Sequence, residues 1–67
     1  MARLPDPIIV EQDSVEVVLY PKRGEHGIDK WDITITTTDQ AIAAHGKNMP
    51  SIISSAVELA FVKLGKL

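Results

Sequence analysis

The feature that most constrains the fold is an apolar segment near the C-terminus, residues 49–64, which predicts a long α-helix. Asn48 is a candidate N-cap, Pro50 fits the first turn, where its missing N–H does no harm, and Gly65 follows as a terminator. On a helical wheel the apolar residues cover about 200°, whereas a surface helix needs a stripe of somewhat more than 100°. The excess apolar surface requires a cover, and a second subunit is the simplest one.

The size of the chain also favours association. A domain of 67 residues buries a limited core and commonly depends on disulfides, a metal or a partner chain. The sequence has no cysteine and two histidines, so it lacks disulfides and the usual ligands of a zinc site. We therefore expect no metal, no other cofactor, and a homodimer built on the last helix. The expected interface residues are Ile53, Val57, Ala60, Phe61 and Leu64.

Two segments rich in β-branched residues predict an antiparallel hairpin ahead of the helices. The strands are expected at about 15–21 and 30–38, with the hairpin tip between them at 22–30. In the second strand, apolar residues at alternate positions share one face: Trp31, Ile33 and Ile35. Pro21 indicates that the first strand ends there or lies at a sheet edge. The expected fold class is therefore small α+β.

The segments on either side of this hairpin are less regular. Residues 1–14 are expected to be an extended N-terminal segment, with a short strand at 8–10, ahead of a single domain spanning 15–67. At about 39–45, a candidate N-cap at Asp39 and three alanines favour a short helix. A third strand at 40–45 is the alternative, although alanine is a poor strand former.

The sequence offers little that would support catalysis. It contains no nucleophile elbow, phosphate-binding loop or run of metal ligands. The two histidines have simpler roles, His26 in an exposed loop and His45 near the C-terminus of a helix. We expect no enzymatic activity. Because no segment has the length of a membrane span or the pattern of a secretory signal, we expect a cytoplasmic protein without membrane contact.

The segment "GKNMPSIISSAVELAF", residues 46–61, resembles the turn and second helix of the ribbon-helix-helix family of DNA-binding repressors and antitoxins. The matching features are the glycine, a capping residue, a small polar residue in the first turn and two apolar pairs: Gly46, Asn48, Ser51, Ile52-Ile53 and Ala56-Val57. The order of strand, short helix and longer helix over residues 32–62 also matches that family. The resemblance implies a dimer whose paired strands enter the major groove of DNA.

That resemblance also implies which residues contact the nucleic acid. Outward side chains of the second strand would read bases, and the N-terminus of the last helix would hold a backbone phosphate. Basic residues of the hairpin and turn would neutralise further phosphates. The expected contact residues, for DNA or another partner, are Lys22, Arg23, Lys30, Asp32, Thr34, Thr36, Lys47, Asn48 and Ser51. The implied function is that of a small dimeric DNA-binding regulator.

Two other interpretations compete with this one. Residues 41–60 are also similar to the strand, loop and helix of Alba-like chromatin and RNA-binding proteins, which requires a strand at 40–45. The formal net charge of −2 weakens both nucleic-acid interpretations. It favours a protein-binding module or inhibitor that docks on a larger protein through the edge or tip of its hairpin.

Overall fold

A computed structural model describes residues 4–66 and shows a three-stranded antiparallel sheet followed by two helices. The strand order is β1-β2-β3, with β2 in the centre. This confirms the expected small α+β fold, in which a hairpin precedes a short and then a long helix. The elements are β1 (Ile8–Gln12), β2 (Val15–Gly24), β3 (Gly27–Thr37), α1 (Asp39–His45), a 3₁₀ turn (Gly46–Asn48) and α2 (Met49–Leu64).

A two-residue turn joins β1 to β2. Asp13 and Ser14 have φ values of 51° and 66°. Positive φ at both central positions matches the right-handed twist of a hairpin, and aspartate tolerates this conformation better than most residues. The turn sets a register in which Val10 pairs with Val17 and Ile8 with Leu19. Through β1 the N-terminal part of the chain therefore contributes to the core.

Pro21 does not end β2, which continues to Gly24. A two-residue turn closes on a hydrogen-bonded pair, here Gln12 and Val15, so the backbone N–H and C=O groups of Val15 face β1. These directions alternate along a strand, so Pro21 also faces the β1 side. The β1 pairing ends at Leu19. The missing N–H donor of Pro21 therefore falls on the side of β2 that has no neighbouring strand at this point, and the ladder with β3 continues past Pro21.

Beyond β1, the strands β2 and β3 continue as a two-stranded extension, residues 20–32, which we call the arm. Its tip is the pair Glu25–His26, much narrower than the expected 22–30. Gly27 follows with φ 113°, a conformation that favours glycine. A bulge shifts the register after Lys22, and a Cβ placed on Gly24 would lie 2.5 Å from the Cβ of Asp29.

The core lies between α2 and the face of the sheet that β1 and β2 share. It comprises Ile8, Val10, Val15, Val17, Leu19, Met49, Ala56 and Ala60. Ala56 and Ala60 are fully buried, and their small side chains let the helix approach the sheet closely. α2 contacts mainly β1 and β2. It leaves the apolar side of β3 largely uncovered, because a helix about 10 Å wide spans two strands spaced about 4.8 Å apart.

Thr38, rather than Asp39, caps the N-terminus of α1. Its hydroxyl accepts a hydrogen bond of 3.1 Å from the backbone N–H of Ala41, and Asp39 is the first helical residue. The N-cap prediction was wrong by one residue, because Thr38 has the extended backbone that an N-cap requires. Residues 40–45 are helical, so the strand that the Alba-like interpretation requires is not formed there.

The junction between the helices differs from the expected capped turn. Gly46 ends α1 with φ 52°, and its N–H donates to the carbonyl of Ile42. Asn48 was expected to cap α2, but its side chain makes no capping hydrogen bond. A 3₁₀ turn runs directly into α2, so Asn48 has helical dihedral angles and its side chain does not reach the first N–H groups. α2 ends at Leu64, as predicted.

Candidate interaction surfaces

The sheet face opposite α2, which we call the outer face, carries five of the nine side chains expected to contact DNA, including Lys30, which pairs with Lys22. Alternation along β3 places Asp32, Thr34 and Thr36 there, with Lys22 from the neighbouring strand. The Nζ of Lys22 lies 3.0 Å from the Oδ2 of Asp32. This pair is half exposed, so it contributes little to stability, but it places an acidic partner beside a lysine expected to contact phosphate.

The other end of the outer face is acidic. Glu11 lies directly opposite Glu16, and Glu16 lies directly opposite Thr36. Both glutamates line an open cavity of about 320 Å³, together with Ser14, Thr36, Thr37 and Thr38. Within the described part of the chain, no three His, Asp or Glu side chains group to hold a metal ion. The carboxylates leave the outer face poorly suited to a polyanion.

The second group of expected contact residues, Lys47, Asn48 and Ser51, lies far from the arm. The Nε2 of His45 donates a hydrogen bond of 3.1 Å to the carbonyl oxygen of Asp13, which holds the end of α1 beside the β1–β2 turn. From that turn, β2 extends from Val15 to Gly24 before it reaches the arm tip, a length of about 30 Å at the usual rise per residue of a strand. The basic residues of the arm, Lys22, Arg23 and Lys30, are therefore separated from Lys47, whereas Thr34 and Thr36 lie between the two groups.

The residues expected at a dimer interface on α2 mostly belong to the core of the protomer. Ala60 is fully buried, so it has no surface for a partner to contact. Ile53, Val57 and Leu64 are half-buried and pack against the core. Phe61 is 54% exposed. The sheet thus covers much of the apolar surface of α2 that was expected to contact a second subunit.

The outer edge of β3 is a surface that the sequence interpretation did not single out. Among residues 4–66, no strand pairs with this edge. The alternation established by the β1–β2 turn directs the backbone groups of Glu16 and Val18 towards β3. Their partners on β3, Thr36 and Thr34, direct their own backbone groups towards β2. The residues that alternate with these threonines direct their N–H and C=O groups away from the sheet: Trp31, Ile33 and Ile35.

The same residues also provide apolar side chains. Ile33 and Ile35 face the α2 side of the sheet but are 44% and 43% exposed, and Trp31 is half-buried beside them. β3 therefore combines outward backbone groups at Trp31, Ile33 and Ile35 with uncovered apolar side chains at Ile33 and Ile35. The signal was present in the sequence, since a single long helix cannot cover the apolar face of three strands.

The edge of β1 is far less suited to an added strand. β1 is five residues long, and Pro7 precedes it immediately. Short edge strands and edge prolines are among the features by which proteins prevent strand addition. β3 contains no proline along its whole length. The two edges of the sheet thus differ in their capacity for strand addition.

Comparison of the chain with protein-family models, curated proteins and solved structures finds no match. The resemblance to the ribbon-helix-helix family therefore stays a prediction. Among the residues that the structure describes, no helix has the length and apolar content needed to cross a membrane.

Proposed function

We propose that the protein is a protein-binding module that acts by adding a strand of another polypeptide to the outer edge of β3. A single observation carries this proposal: the edge is eleven residues long, lacks proline and exposes Ile33 and Ile35. Strand addition is a recurrent form of protein recognition, in which backbone hydrogen bonds give affinity and alternate side chains give specificity.

The backbone groups and exposed isoleucines of β3 define which kind of peptide could add to it. The backbone of the added strand would bond to the outward N–H and C=O groups of Ile33 and Ile35. Its side chains on the α2 side would cover these isoleucines, so they are expected to be apolar at alternate positions. Full burial of an isoleucine side chain stabilises by about 1.5–3 kcal/mol, and completing the burial of two half-covered ones contributes a similar total.

Duplex DNA is the competing ligand, and the charge distribution argues against it. Glu11 and Glu16 lie on the outer face beside Thr36, one of the side chains expected to read bases. Lys22 already has an acidic partner in Asp32. Phosphate neutralisation supplies most of the affinity in non-specific DNA binding, and a chain with a net charge of −2 and separated basic groups offers little of it.

The proposal can be tested with a displayed library of random twelve-residue peptides selected against the immobilised protein at low density. We expect recovered peptides with apolar residues at alternate positions. Their binding should weaken by about tenfold or more in Ile33→Lys, since an edge lysine opposes strand addition. Val62→Lys is the matched control, because Val62 is also an exposed apolar residue, but on α2.

Two results would overturn the proposal. One is a set of peptides that bind Ile33→Lys and the unmodified protein equally well. The other is binding of random duplex DNA at micromolar concentration with a steep dependence on salt, which indicates phosphate neutralisation.

A further inference from the structure

We propose that the strand added to β3 is β3 of a second copy of this chain. The two strands pair antiparallel, and the two-fold axis passes between the two copies of Ile33. This inference rests on the proposed function, since it names the partner at the same edge. It places the contact between protomers on the sheet, whereas the sequence pattern of α2 places it on the helix.

The apolar pattern of β3 is symmetric about Ile33. In an antiparallel pair centred there, Ile33 lies opposite its own copy, and Trp31 lies opposite Ile35 of the second copy on both sides. Pairs between aromatic and β-branched side chains are among the favourable cross-strand pairs. All three residues direct backbone groups outward, so each of these pairs is also a hydrogen-bonded pair.

The charged and aromatic side chains of β3 favour this register over its neighbours. Centring the pair on Asp32 would use the full strand but would place two aspartates directly opposite each other, which is destabilising. Centring it on Thr34 would move Trp31 from Ile35 to Thr37. With the axis at Ile33, the charged residues Asp29, Lys30 and Asp32 lie opposite Thr37, Thr36 and Thr34.

This register also keeps the two helices on one side of a continuous six-stranded sheet. Odd-numbered residues of one β3 lie opposite odd-numbered residues of the other, and in both copies their side chains point to the α2 side. The α2 side of one protomer therefore continues into the α2 side of the other. α2 contacts mainly β1 and β2, so the two helix axes lie about four strand spacings apart, roughly 19 Å. The exposed isoleucines Ile33 and Ile35 of both copies then form one apolar strip between the helices.

Sedimentation equilibrium over a range of protein concentrations tests association at this site. We expect a concentration-dependent dimer that Ile33→Lys and Ile33→Glu each weaken by about tenfold or more, because like charges then lie opposite each other. An equimolar mixture of the two variants should restore the dimer, since lysine then faces glutamate. Val62→Lys should leave association unchanged. A dimer that neither variant weakens, or a mixture that stays monomeric, would overturn the proposal.

Disulfide trapping tests the register directly, because the native chain has no cysteine. Ile33→Cys should oxidise rapidly to a covalent dimer, since Cα atoms of a hydrogen-bonded pair lie about 5.5 Å apart, within disulfide reach. In the matched variant Ile35→Cys, the two cysteines would lie four residues apart along the strand, about 13 Å, and should stay reduced. Preferential trapping of Thr34→Cys over Ile33→Cys would overturn the register.

The outcomes separate this inference from the proposed function. A chain that stays monomeric at all concentrations, while displayed peptides still bind and are lost in Ile33→Lys, overturns the inference alone. If peptides fail to bind in an Ile33-dependent manner and no dimer forms, both are overturned. Charge-swap rescue together with selective trapping of Ile33→Cys supports both.

Discussion

Glu11 and Glu16 lie directly opposite each other across the β1–β2 ladder, so two like charges meet on the outer face of the sheet. The adjacent cavity is lined by no basic residue, since its other lining residues are Ser14, Thr36, Thr37 and Thr38. The pair weakens the hairpin and makes this face unfavourable for a polyanion.

Replacing one of these charges should stabilise the protein. We expect Glu11→Lys to raise the free energy of unfolding by about 0.5–1 kcal/mol, because an opposite-charge pair replaces a like-charge pair. Glu11→Gln is the control and should give a smaller gain. Urea unfolding at low and high salt measures both, and salt should reduce the difference. A loss of stability in Glu11→Lys would contradict this interpretation of the pair.

The arm depends on the close approach of Gly24 to Asp29. Gly24→Ala should destabilise the protein by about 1–3 kcal/mol, because the added Cβ would lie 2.5 Å from the Cβ of Asp29. Adding Asp29→Gly removes the opposing atom, so the double variant should recover part of the loss. Thermal unfolding and the dispersion of arm amide signals in NMR spectra report the effect. Equal stability of Gly24→Ala and the native protein would show that the arm relaxes freely.

Thr38 should contribute more to α1 than Asp39 does. Thr38→Ala removes the hydroxyl that accepts from the N–H of Ala41 and should cost about 1 kcal/mol. Asp39→Ala removes only a favourable charge in the first turn, worth about 0.3–1 kcal/mol at low ionic strength. Denaturant unfolding at high salt, where the charge effect is screened, should separate the two variants most clearly. A larger loss for Asp39→Ala there would assign the cap to the wrong residue.

The alanines of α2 set the distance between helix and sheet. Ala60→Leu should destabilise the protein by about 1–3 kcal/mol, since the position is fully buried and a larger side chain would force the helix away. Val62→Leu, at a position that is 51% exposed, should be close to neutral. Chemical denaturation compares the two variants, and tolerance of leucine at position 60 would mean that the helix packs more loosely than described.

The sequence was sufficient to predict the elements whose pattern is periodic. Alternation at Trp31, Ile33 and Ile35 predicted β3, and the apolar run with a proline in its first turn predicted α2 to its last residue. The alanine-rich segment at 39–45 was correctly favoured as a helix over a strand. These features depend on local propensity and on the period of each element, which a single sequence displays directly.

The parts that could not be predicted depend on where neighbouring elements end. The sequence offered a strand end or a sheet edge at Pro21 and could not choose between them, because the choice depends on β1 pairing only as far as Leu19. Asn48 does not cap α2 because a 3₁₀ turn precedes the helix. The burial of Ala60 and the exposure of Ile33 both follow from the position of α2 over two of three strands.

Native-state hydrogen exchange along β3 shows whether a second strand pairs with the outer edge of β3. The amides of Thr34 and Thr36 face β2 and should be protected at every protein concentration, whereas those of Ile33 and Ile35 face outward. We expect the amides of Ile33 and Ile35 to exchange rapidly at low protein concentration and to become protected as the concentration rises. Unchanged, rapid exchange of these two amides at concentrations where the protein associates would contradict this pairing, because the contact would then lie elsewhere.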